Sequence, residues 1–296
     1  MRTALALGTF DGVHRGHRAV IAAARQAAGR SGRVTAVTFW PHPMTVFDPA
    51  GAPPLLLNLD AREDALLAAG ADEILLLHFT PELAGLSPLA FVERVLAPLE
   101  PTAVAVGENF TFGARGAGTP AMLAELGAGR FDVLTAPLVE VDGTTVSSTA
   151  IRAAVLAGDV AMAGRLLGRD FSVRGPVVRG DQRGRAIGFP TANLTPDDAI
   201  ASPADGVYAG WLRRLDQPDG SEGGPMPAAV SVGDNPTFVS SRRVEAYVLD
   251  ADFDIYGVPV EIGFTKHLRG MVAFASVEDL VAQMRRDVED TRALAR

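Results

Sequence analysis

The sequence predicts an α/β domain with a parallel sheet, followed by a small antiparallel β-barrel with a terminal helix. Through the first half, short apolar runs alternate with amphipathic helical patterns, which is typical of βαβ units and of a parallel sheet. Near residue 170 the helical patterns stop, and β-branched runs separated by glycine and proline follow, as in a small barrel. We therefore predict two domains, residues 1–168 and residues 169–296.

The composition restricts the functional classes that remain. The formal net charge of −8 disfavours a general nucleic-acid binder, because such proteins need clustered Lys and Arg. The chain contains no cysteine, which excludes a disulfide, a thiolate metal site and a cysteine nucleophile within it. No apolar run approaches the ~20 residues that span a bilayer. These features predict a cytoplasmic protein with neither nucleic-acid nor membrane partners, and they leave its oligomeric state unknown.

The first domain is predicted to hold five strands with helices between them. The first helix stops at Gly29. A later helix begins at Asp60, where Glu63 completes a capping box, and two more begin at Ser87 and Thr119, each followed by proline. The apolar runs predicted as strands are "TALALG", "RVTAVTF", "EILLLHF", "TAVAVG" and "FDVLTA".

The second domain is predicted to hold five strands and a C-terminal helix. The helix begins at Ser276, where Asp279 supplies the capping partner. The runs predicted as strands are "FSVRGPVV", "GVYAGWLRRL", "PAAVSVG", "RRVEAYVLD" and "VPVEIGFTK".

The stretch "LGTFDGVHRGH", residues 7–17, is the first candidate site. A strand ends there and turns through Asp11 and Gly12 into a helix, whose free N–H groups favour an anion. His14 and His17 lie one helical turn apart and can add two N–H donors to a phosphate. A zinc pair and a purely structural turn are the alternatives, although no further ligands follow at the spacing that zinc needs.

The same stretch resembles the H-x-G-H class of nucleotidylyltransferases. The motif alone leaves pantetheine-phosphate and cytidylyl transferases open. However, "VTFWPHP", "LAGLSPLAFVERVL", "VGENFTFG" and "SSTAIR" follow in the order and spacing of the FAD synthetase half of bacterial bifunctional riboflavin kinase/FAD synthetases. The resemblance covers nearly the whole chain and implies that the first domain is a Rossmann-like nucleotidylyltransferase domain.

The chemistry that this resemblance implies is attack by the FMN phosphate on the α-phosphorus of ATP, which gives FAD and pyrophosphate. The attacking phosphate is already ionised at neutral pH, so positioning and charge stabilisation suffice without a general base. By resemblance, His14 and His17 serve the ATP phosphates as catalytic residues. The residues implied to shape the phosphate pocket are Gly8, Phe10, Asp11 and Gly12, and those implied to hold the distal phosphates are Ser147, Ser148, Thr149 and Arg152.

The flavin side of this site is also implied by resemblance. Aromatic and proline faces suit an isoalloxazine ring, although a core strand end and a tight turn are the alternative reading of both stretches. Trp40 departs from the pattern, since many relatives carry an acidic residue there. The residues implied to contact the flavin are Phe39, Pro41, His42, Asn109, Phe110 and Phe112.

The stretch "VVRGDQRGRAIGFPTANL" is the second candidate site. It is rich in glycine but is not a Walker P-loop. Its "GFPTAN" resembles the riboflavin kinase motif, in which Thr191 and Asn193 would hold magnesium and nucleotide phosphates. The alternative is a glycine-rich turn without function. The residues implied to lie against the nucleotide are Gly180, Arg183, Gly188 and Pro190.

The run "RRVEAYVLDADFDIYG" resembles the strand that carries the catalytic acid of riboflavin kinases, and this acid falls on Glu245. A ribityl hydroxyl is a poor nucleophile and needs a carboxylate to take its proton. Arg269 and Phe274 fall where relatives carry R-D-E-x-x-F, and Arg269 is a candidate for nucleotide or flavin contact. Gly270 and Met271 replace the acidic pair of that pattern.

These observations predict a bifunctional enzyme of flavin cofactor biosynthesis. Riboflavin, FMN and FAD would be substrates and products, with ATP as co-substrate and magnesium as the metal. An enzyme with one live activity and a flavin-binding regulator without activity are the two rival hypotheses. The products formed from riboflavin, ATP and magnesium distinguish all three.

Overall fold

The computed structural model describes residues 2–180, 184, 187–217, 224–234, 242–251 and 255–295. The chain divides into two compact units. One comprises Met1–Pro53 and Leu59–Ser148, and the other comprises Pro54–Asn58 and Thr149–Arg296. The domain boundary expected between residues 168 and 169 stays a prediction.

The first unit contains a parallel sheet of five strands in the order β3-β2-β1-β4-β5. The central strand β1 pairs with β2 on one side and with β4 on the other, and its apolar residues are buried, as expected of a strand covered on both faces. The predicted parallel α/β architecture is confirmed. The strands are β1 (Thr3–Leu7), β2 (Arg33–Trp40), β3 (Glu73–His78), β4 (Ala103–Gly107) and β5 (Asp132–Ala136).

Helices connect these strands. Ser87 and Thr119 are the N-caps of α5 and α6, and Gly29 ends α1, as predicted. The capping box predicted at Asp60 is wrong, because α3 starts at Leu59 and Asp60 lies inside its first turn. The helices are α1 (Arg15–Ala28), α2 (Pro43–Phe47), α3 (Leu59–Ala68), α4 (Pro81–Ala84), α5 (Pro88–Phe91) and α6 (Pro120–Gly127).

Smaller elements complete this part of the chain. After α5 the backbone continues as a π-helical turn, Val92–Leu96, and a 3₁₀ turn, Ala97–Leu99. A short hairpin, β6 (Glu140–Val141) and β7 (Thr144–Thr145), precedes two further helices. These helices are α7 (Ser148–Leu156) and α8 (Val160–Leu167).

The second unit contains a closed antiparallel barrel in the order β10-β11-β12-β9-β8-β13. This confirms the predicted barrel, but the described residues form six strands where the sequence predicted five. The additional strand, β9, has only three residues, too few for a periodic pattern. The strands are β8 (Phe171–Val178), β9 (Ala192–Leu194), β10 (Gly206–Arg214), β11 (Met226–Asp234), β12 (Arg242–Val248) and β13 (Pro259–Arg269).

The predicted terminal helix is α9 (Val277–Leu294), which packs against β10 and β11. Ser276 caps it, since its hydroxyl accepts a hydrogen bond from the backbone N–H of Asp279 at 3.1 Å. In the ranges given above, no helix has the length and apolar content needed to cross a membrane.

Candidate active sites

The histidine turn, residues 8–17, joins the carboxyl end of β1 to α1. His14 is the N-cap of α1, and its Nδ1 accepts a hydrogen bond from the backbone N–H of His17 at 3.3 Å. The two imidazole rings stack with their centroids 3.5 Å apart and their planes 16° apart. Both rings therefore lie at the positive end of the helix dipole, which favours an anion.

The backbone of the histidine turn is held in an uncommon conformation. Phe10 and Val13 have φ of +51° and +41°, in the left-handed region where a residue with a side chain is strained by about 1–3 kcal/mol. Gly12, at +87°, has no such cost. The Phe10 ring is fully buried, and a Cβ at Gly8 would lie 3.1 Å from it. Packing around the Phe10 ring therefore maintains the strained backbone of the turn. Such strain is common at ligand-binding sites.

A pair of opposite charges is buried beside the histidine turn. Arg62 of α3 is 0% exposed, and its Nη2 lies 3.9 Å from Oδ1 of Asp11. Its Nη1 donates to the backbone carbonyls of Thr9 and Phe39 at 3.3 and 3.4 Å. The sequence analysis missed Arg62, because a lone arginine on a helix is usually a surface residue.

Burial and two neighbouring side chains lower the pKa of His17. Burial, followed by the nearby His14 and Arg62, holds the pKa of His17 well below its usual value. His17 is therefore neutral at neutral pH. A neutral imidazole has one N–H donor, which it can offer to a phosphate without a charge change.

The predicted distal-phosphate residues lie at the start of α7. The hydroxyl of Ser148 donates to the backbone carbonyl of Asp11 at 2.7 Å, so the structure brings Ser148 to the histidine turn. Ser147 is partly buried and Thr149 is exposed. In the second unit, Arg152 is buried and its Nε donates to a backbone carbonyl, that of Pro54, at 2.6 Å. The phosphate roles of these residues stay predictions.

The predicted flavin residues of the first unit lie at the end of β2 or follow β2 and β4, the two neighbours of β1. Phe39 is 7% exposed and packs edge-on against Phe79, as a core side chain would. After the cis Trp40–Pro41 bond, His42 caps α2.

The other flavin candidates lie beyond β4. Asn109 is exposed, and the rings of Phe110 and Phe112 stack 6.0 Å apart. The motifs predicted for ATP and flavin thus extend from the carboxyl ends of adjacent strands, where α/β sheets bind ligands. Their flavin contacts stay predictions.

A second cluster lies on the barrel, where β9 and β12 pair. We call Thr191, Asn193 and Glu245 the oxygen cluster. Glu245 and Asn193 are direct cross-strand partners. The Thr191 hydroxyl lies 3.4 Å from Oε2 of Glu245, and Nη1 of Arg243 lies 3.3 Å from its Oε1. The predicted catalytic acid and both predicted metal ligands are therefore together.

One oxygen of Asn193 makes no hydrogen bond to a described residue. Its Nδ2 donates to the backbone carbonyl and to the hydroxyl of Thr191, each at 3.2 Å, which fixes the orientation of the amide. Its Oδ1 is buried and has no hydrogen-bond partner among the described residues. A Cβ at Gly180 would lie 2.3 Å from this oxygen, so a larger residue there would require the amide of Asn193 to move. Oxygen donors are the ligands that Mg²⁺ prefers, and the arrangement fits magnesium.

A cavity of about 250 Å³ opens beside the oxygen cluster. Thr191 and Glu245 form part of its wall, and the rest is mainly apolar. Such a cavity, with few polar groups in an apolar wall, suits an aromatic ligand. The other lining residues come from the segment before β9, from the barrel strands, from α9 and from the segment before α9: Phe189, Val207, Ala229, Ser231, Tyr247, Arg269, Met271, Val272, Phe274, Leu280, Met284, Asp287 and Val288.

Arg269 connects the cavity wall to α9. Its Nε and Nη2 donate to the carboxylate of Asp287 at 3.0 and 2.7 Å, and Asp287 is 4% exposed. Gln283 donates to the same carboxylate at 2.9 Å. The guanidinium also lies 5.8 Å from the Phe274 ring centroid. Its predicted contact with nucleotide or flavin stays a prediction.

The remaining predicted residues belong to the glycine-rich stretch. Gly188 has φ of +85°, and Pro190 is exposed. Arg183 lies outside the described residues. Among the residues that the structure does describe, no three His, Asp or Glu side chains are grouped so that they could hold a metal ion.

Comparisons with known proteins match both halves of the chain. Residues 1–150 match a family model described as FAD synthetase, and residues 167–295 match one described as riboflavin kinase. Curated relatives named bifunctional riboflavin kinase/FMN adenylyltransferase include one from Listeria monocytogenes, which is 38% identical over 98% of this chain and 91% of the relative. Another, from Escherichia coli K12, is 35% identical over 96% of this chain and 90% of the relative.

A solved structure shares the fold of the whole chain. The crystal structure described as that of a macrolide-efflux protein from Streptococcus pneumoniae matches with a TM-score of 0.87 and 35% identity. The match covers 98% of this chain and 93% of that chain.

Proposed function

The chain belongs to the family of bifunctional riboflavin kinase/FMN adenylyltransferases, and we propose that the histidine turn serves its adenylyl transfer and the oxygen cluster its phosphoryl transfer. The enzyme phosphorylates riboflavin to FMN and adenylylates FMN to FAD, with ATP as the co-substrate of both steps. Its partners are these small molecules. We place it in the cytoplasm, where ATP is available to both reactions.

Adenylyl transfer needs donors rather than a base. An oxygen of the FMN phosphate attacks the α-phosphorus of ATP, the bond to the β-phosphate breaks, and pyrophosphate leaves. His14 accepts a hydrogen bond at Nδ1, so in its neutral form it carries its proton on Nε2 and can donate to a phosphate oxygen. His17 supplies a second donor, and the first N–H groups of α1 add their positive partial charge. The stacked pair of imidazoles is the observation that carries this assignment.

Phosphoryl transfer needs a base and a charge-neutralising ion. Glu245 orients the ribityl hydroxyl of riboflavin and takes its proton as the hydroxyl oxygen bonds to the γ-phosphorus and ADP leaves. Thr191 and Asn193 would hold magnesium, which, when bound, offsets the negative charge of the phosphates. The Oδ1 of Asn193, which is buried and has no hydrogen-bond partner in the part of the chain that the structure describes, supports this role most directly. The cavity beside the cluster would take the isoalloxazine ring, with its ribityl chain directed toward Glu245.

The experiment that tests this function uses the intact protein in two reactions. Riboflavin, ATP and magnesium are supplied in one, FMN, ATP and magnesium in the other, and the flavins are separated. We expect FMN and FAD from the first and FAD from the second. FMN alone would leave only the kinase, FAD from supplied FMN alone would leave only the adenylyltransferase, and neither product would favour a flavin-binding regulator.

A further inference from the structure

We propose that Arg62 is a positioning residue for adenylyl transfer, which fixes the histidine turn against the end of β2. The inference rests on the proposed role of the histidine turn. It concerns a residue that lies 45 positions beyond His17 in the chain and that no sequence motif includes.

The contacts of Arg62 join two segments that belong to different predicted subsites. Nη1 donates to the carbonyl of Thr9, in the histidine turn, and to the carbonyl of Phe39, at the end of β2. Thr38 reinforces this tie, because its hydroxyl donates to the same Thr9 carbonyl at 3.0 Å. Arg62 thus connects the segment predicted to hold ATP phosphates with the segment predicted to hold the flavin.

The energetics of Arg62 argue against a purely stabilising role. Its guanidinium is 0% exposed, and its Nε and Nη2 have no hydrogen-bond partner within the described part of the chain. Nη2 lies 3.9 Å from the Asp11 carboxylate, which is beyond hydrogen-bond distance. A buried charge with unsatisfied donors usually costs more than an apolar residue of the same size. Burial also lowers the pKa of Arg62, although Asp11 opposes this shift.

An aromatic neighbour compensates part of the charge of Arg62. Its guanidinium carbon lies 5.2 Å from the Trp40 ring centroid, so the ring occupies one side of the cation. The charge is therefore compensated by Asp11 and by an aromatic face, and its field extends to His17 in the histidine turn. Because Arg62 is fully buried, it acts on the reaction through the turn rather than by touching the substrates.

The test measures both half-reactions of the intact protein with Arg62→Met, which keeps an unbranched apolar stem and removes the guanidinium with its charge and donors. We expect kcat for FAD formation from FMN to fall about tenfold or more, since a displacement of about 1 Å can cost ~10²-fold. KM for ATP should change by less than about threefold, and FMN formation from riboflavin should keep its rate. Arg62→Lys, which keeps the charge and one donor group, should recover part of the loss.

Arg25 provides a matched control in the same unit. Its guanidinium also joins separate segments, donating to the carbonyls of Gly32 and Gly70 and to the carboxylate of Asp72. Arg25→Met should lower the thermal midpoint and leave kcat for FAD formation unchanged. Wild-type FAD kinetics in Arg62→Met, or an equal fall of kcat in Arg25→Met, would overturn the inference.

Three outcomes complete the test. If Arg62→Met does not fold, Thr38→Val removes the second donor to Thr9 with little change in shape; a lower kcat for FAD formation then supports the tie, and an unchanged kcat overturns it. A wild-type protein that makes no FAD would overturn the proposed function together with the inference. If the wild type makes FAD and the Arg62→Met protein makes it at the same rate, only the inference is overturned.

Discussion

The histidine turn and the oxygen cluster, the two sites that we propose for ATP-dependent chemistry, offer opposite kinds of group. The histidine turn offers N–H donors: two stacked imidazoles and the first turn of a helix, with a buried arginine beneath them. The oxygen cluster offers acceptors: a carboxylate, a hydroxyl and an amide oxygen that has no hydrogen-bond partner among the described residues. One site is therefore suited to hold phosphate oxygens directly, and the other to hold them through a cation and to accept a proton.

The state of the nucleophile explains this difference. A phosphate of FMN is ionised before it reacts, so a carboxylate beside it would only repel it. A ribityl hydroxyl has to lose its proton during the reaction, and a carboxylate is the group that can take it. The two sites should therefore respond to mutation independently, and each prediction below tests or refines that expectation.

The largest effect is expected from removal of both imidazoles. The variant His14→Ala/His17→Ala should lower FAD formation from FMN by about 10³-fold or more, since loss of one phosphate or oxyanion donor costs roughly 10²–10³-fold. FMN formation from riboflavin should remain near the wild-type rate. Separation of the flavins from both reactions measures this, and an equal loss of kinase activity in a folded protein would contradict the separation of the sites.

The corresponding change for the kinase reaction is Glu245→Gln. It keeps the size and hydrogen bonding of the side chain and removes the proton acceptor, so kinase turnover should fall by roughly 10²-fold or more. FMN supplied directly should still give FAD. Steady-state rates of both reactions check this, and undiminished FMN production would exclude Glu245 as the base.

A smaller effect should follow the loss of one proposed metal ligand. Thr191→Ala should raise the magnesium concentration for half-maximal kinase rate by roughly tenfold, because an oxygen ligand is lost. Thr195→Ala, at an exposed position just beyond β9, serves as the control. A magnesium titration at saturating riboflavin measures the shift, and identical curves for both variants would remove Thr191 from the metal site.

The contact between Arg269 and Asp287 should affect riboflavin binding more than turnover. Asp287→Asn removes the charge that holds Arg269 in the cavity wall, and KM for riboflavin should rise about fivefold, the scale of ~1 kcal/mol, with kcat nearly unchanged. Asp290→Asn, exposed on the same helix, should change neither constant. A fall in kcat alone would place Asp287 in the chemistry instead.

The smallest expected effect is on the pH dependence of the free energy of unfolding. The folded pKa of His17 is depressed, so its contribution to stability is present above the unfolded value of 6.5 and is lost as the pH falls below it toward the folded pKa. The free energy of unfolding of the wild type, measured in urea, should thus fall as the pH is lowered from 7.5 to 5.5. The contribution of this group to the fall is at most about 1.4 kcal/mol per pH unit. In His17→Gln this part of the pH dependence should disappear. An unchanged slope would contradict the burial of a neutral His17.

The sequence predicted the residues of each site that belong to a motif of the resembled family. His14 and His17 are three residues apart, and Thr191 and Asn193 are two apart, so helix and strand geometry bring them together. The two-domain α/β and barrel architecture was predictable because most strands and helices are long enough to show a period.

The sequence could not predict contacts that only the tertiary fold creates. Arg62 reaches Thr9 from a helix more than 50 residues away in the chain. Asp287 faces Arg269 from a different element, and its neighbours in sequence are largely charged. Arg62 and Asp287 both lie in sequence patterns that are typical of surface helices, and only their burial in the structure distinguishes them.

The independence of the two sites is tested most directly by mixing two variants. The His14→Ala/His17→Ala protein keeps the kinase site, and the Glu245→Gln protein keeps the adenylyltransferase site. Supplied with riboflavin, ATP and magnesium, neither protein alone should accumulate FAD at the wild-type rate. The mixture should form FAD after a lag in which free FMN builds up. A mixture that forms FMN and no FAD, or neither flavin, would contradict the assignment of one complete reaction to each site.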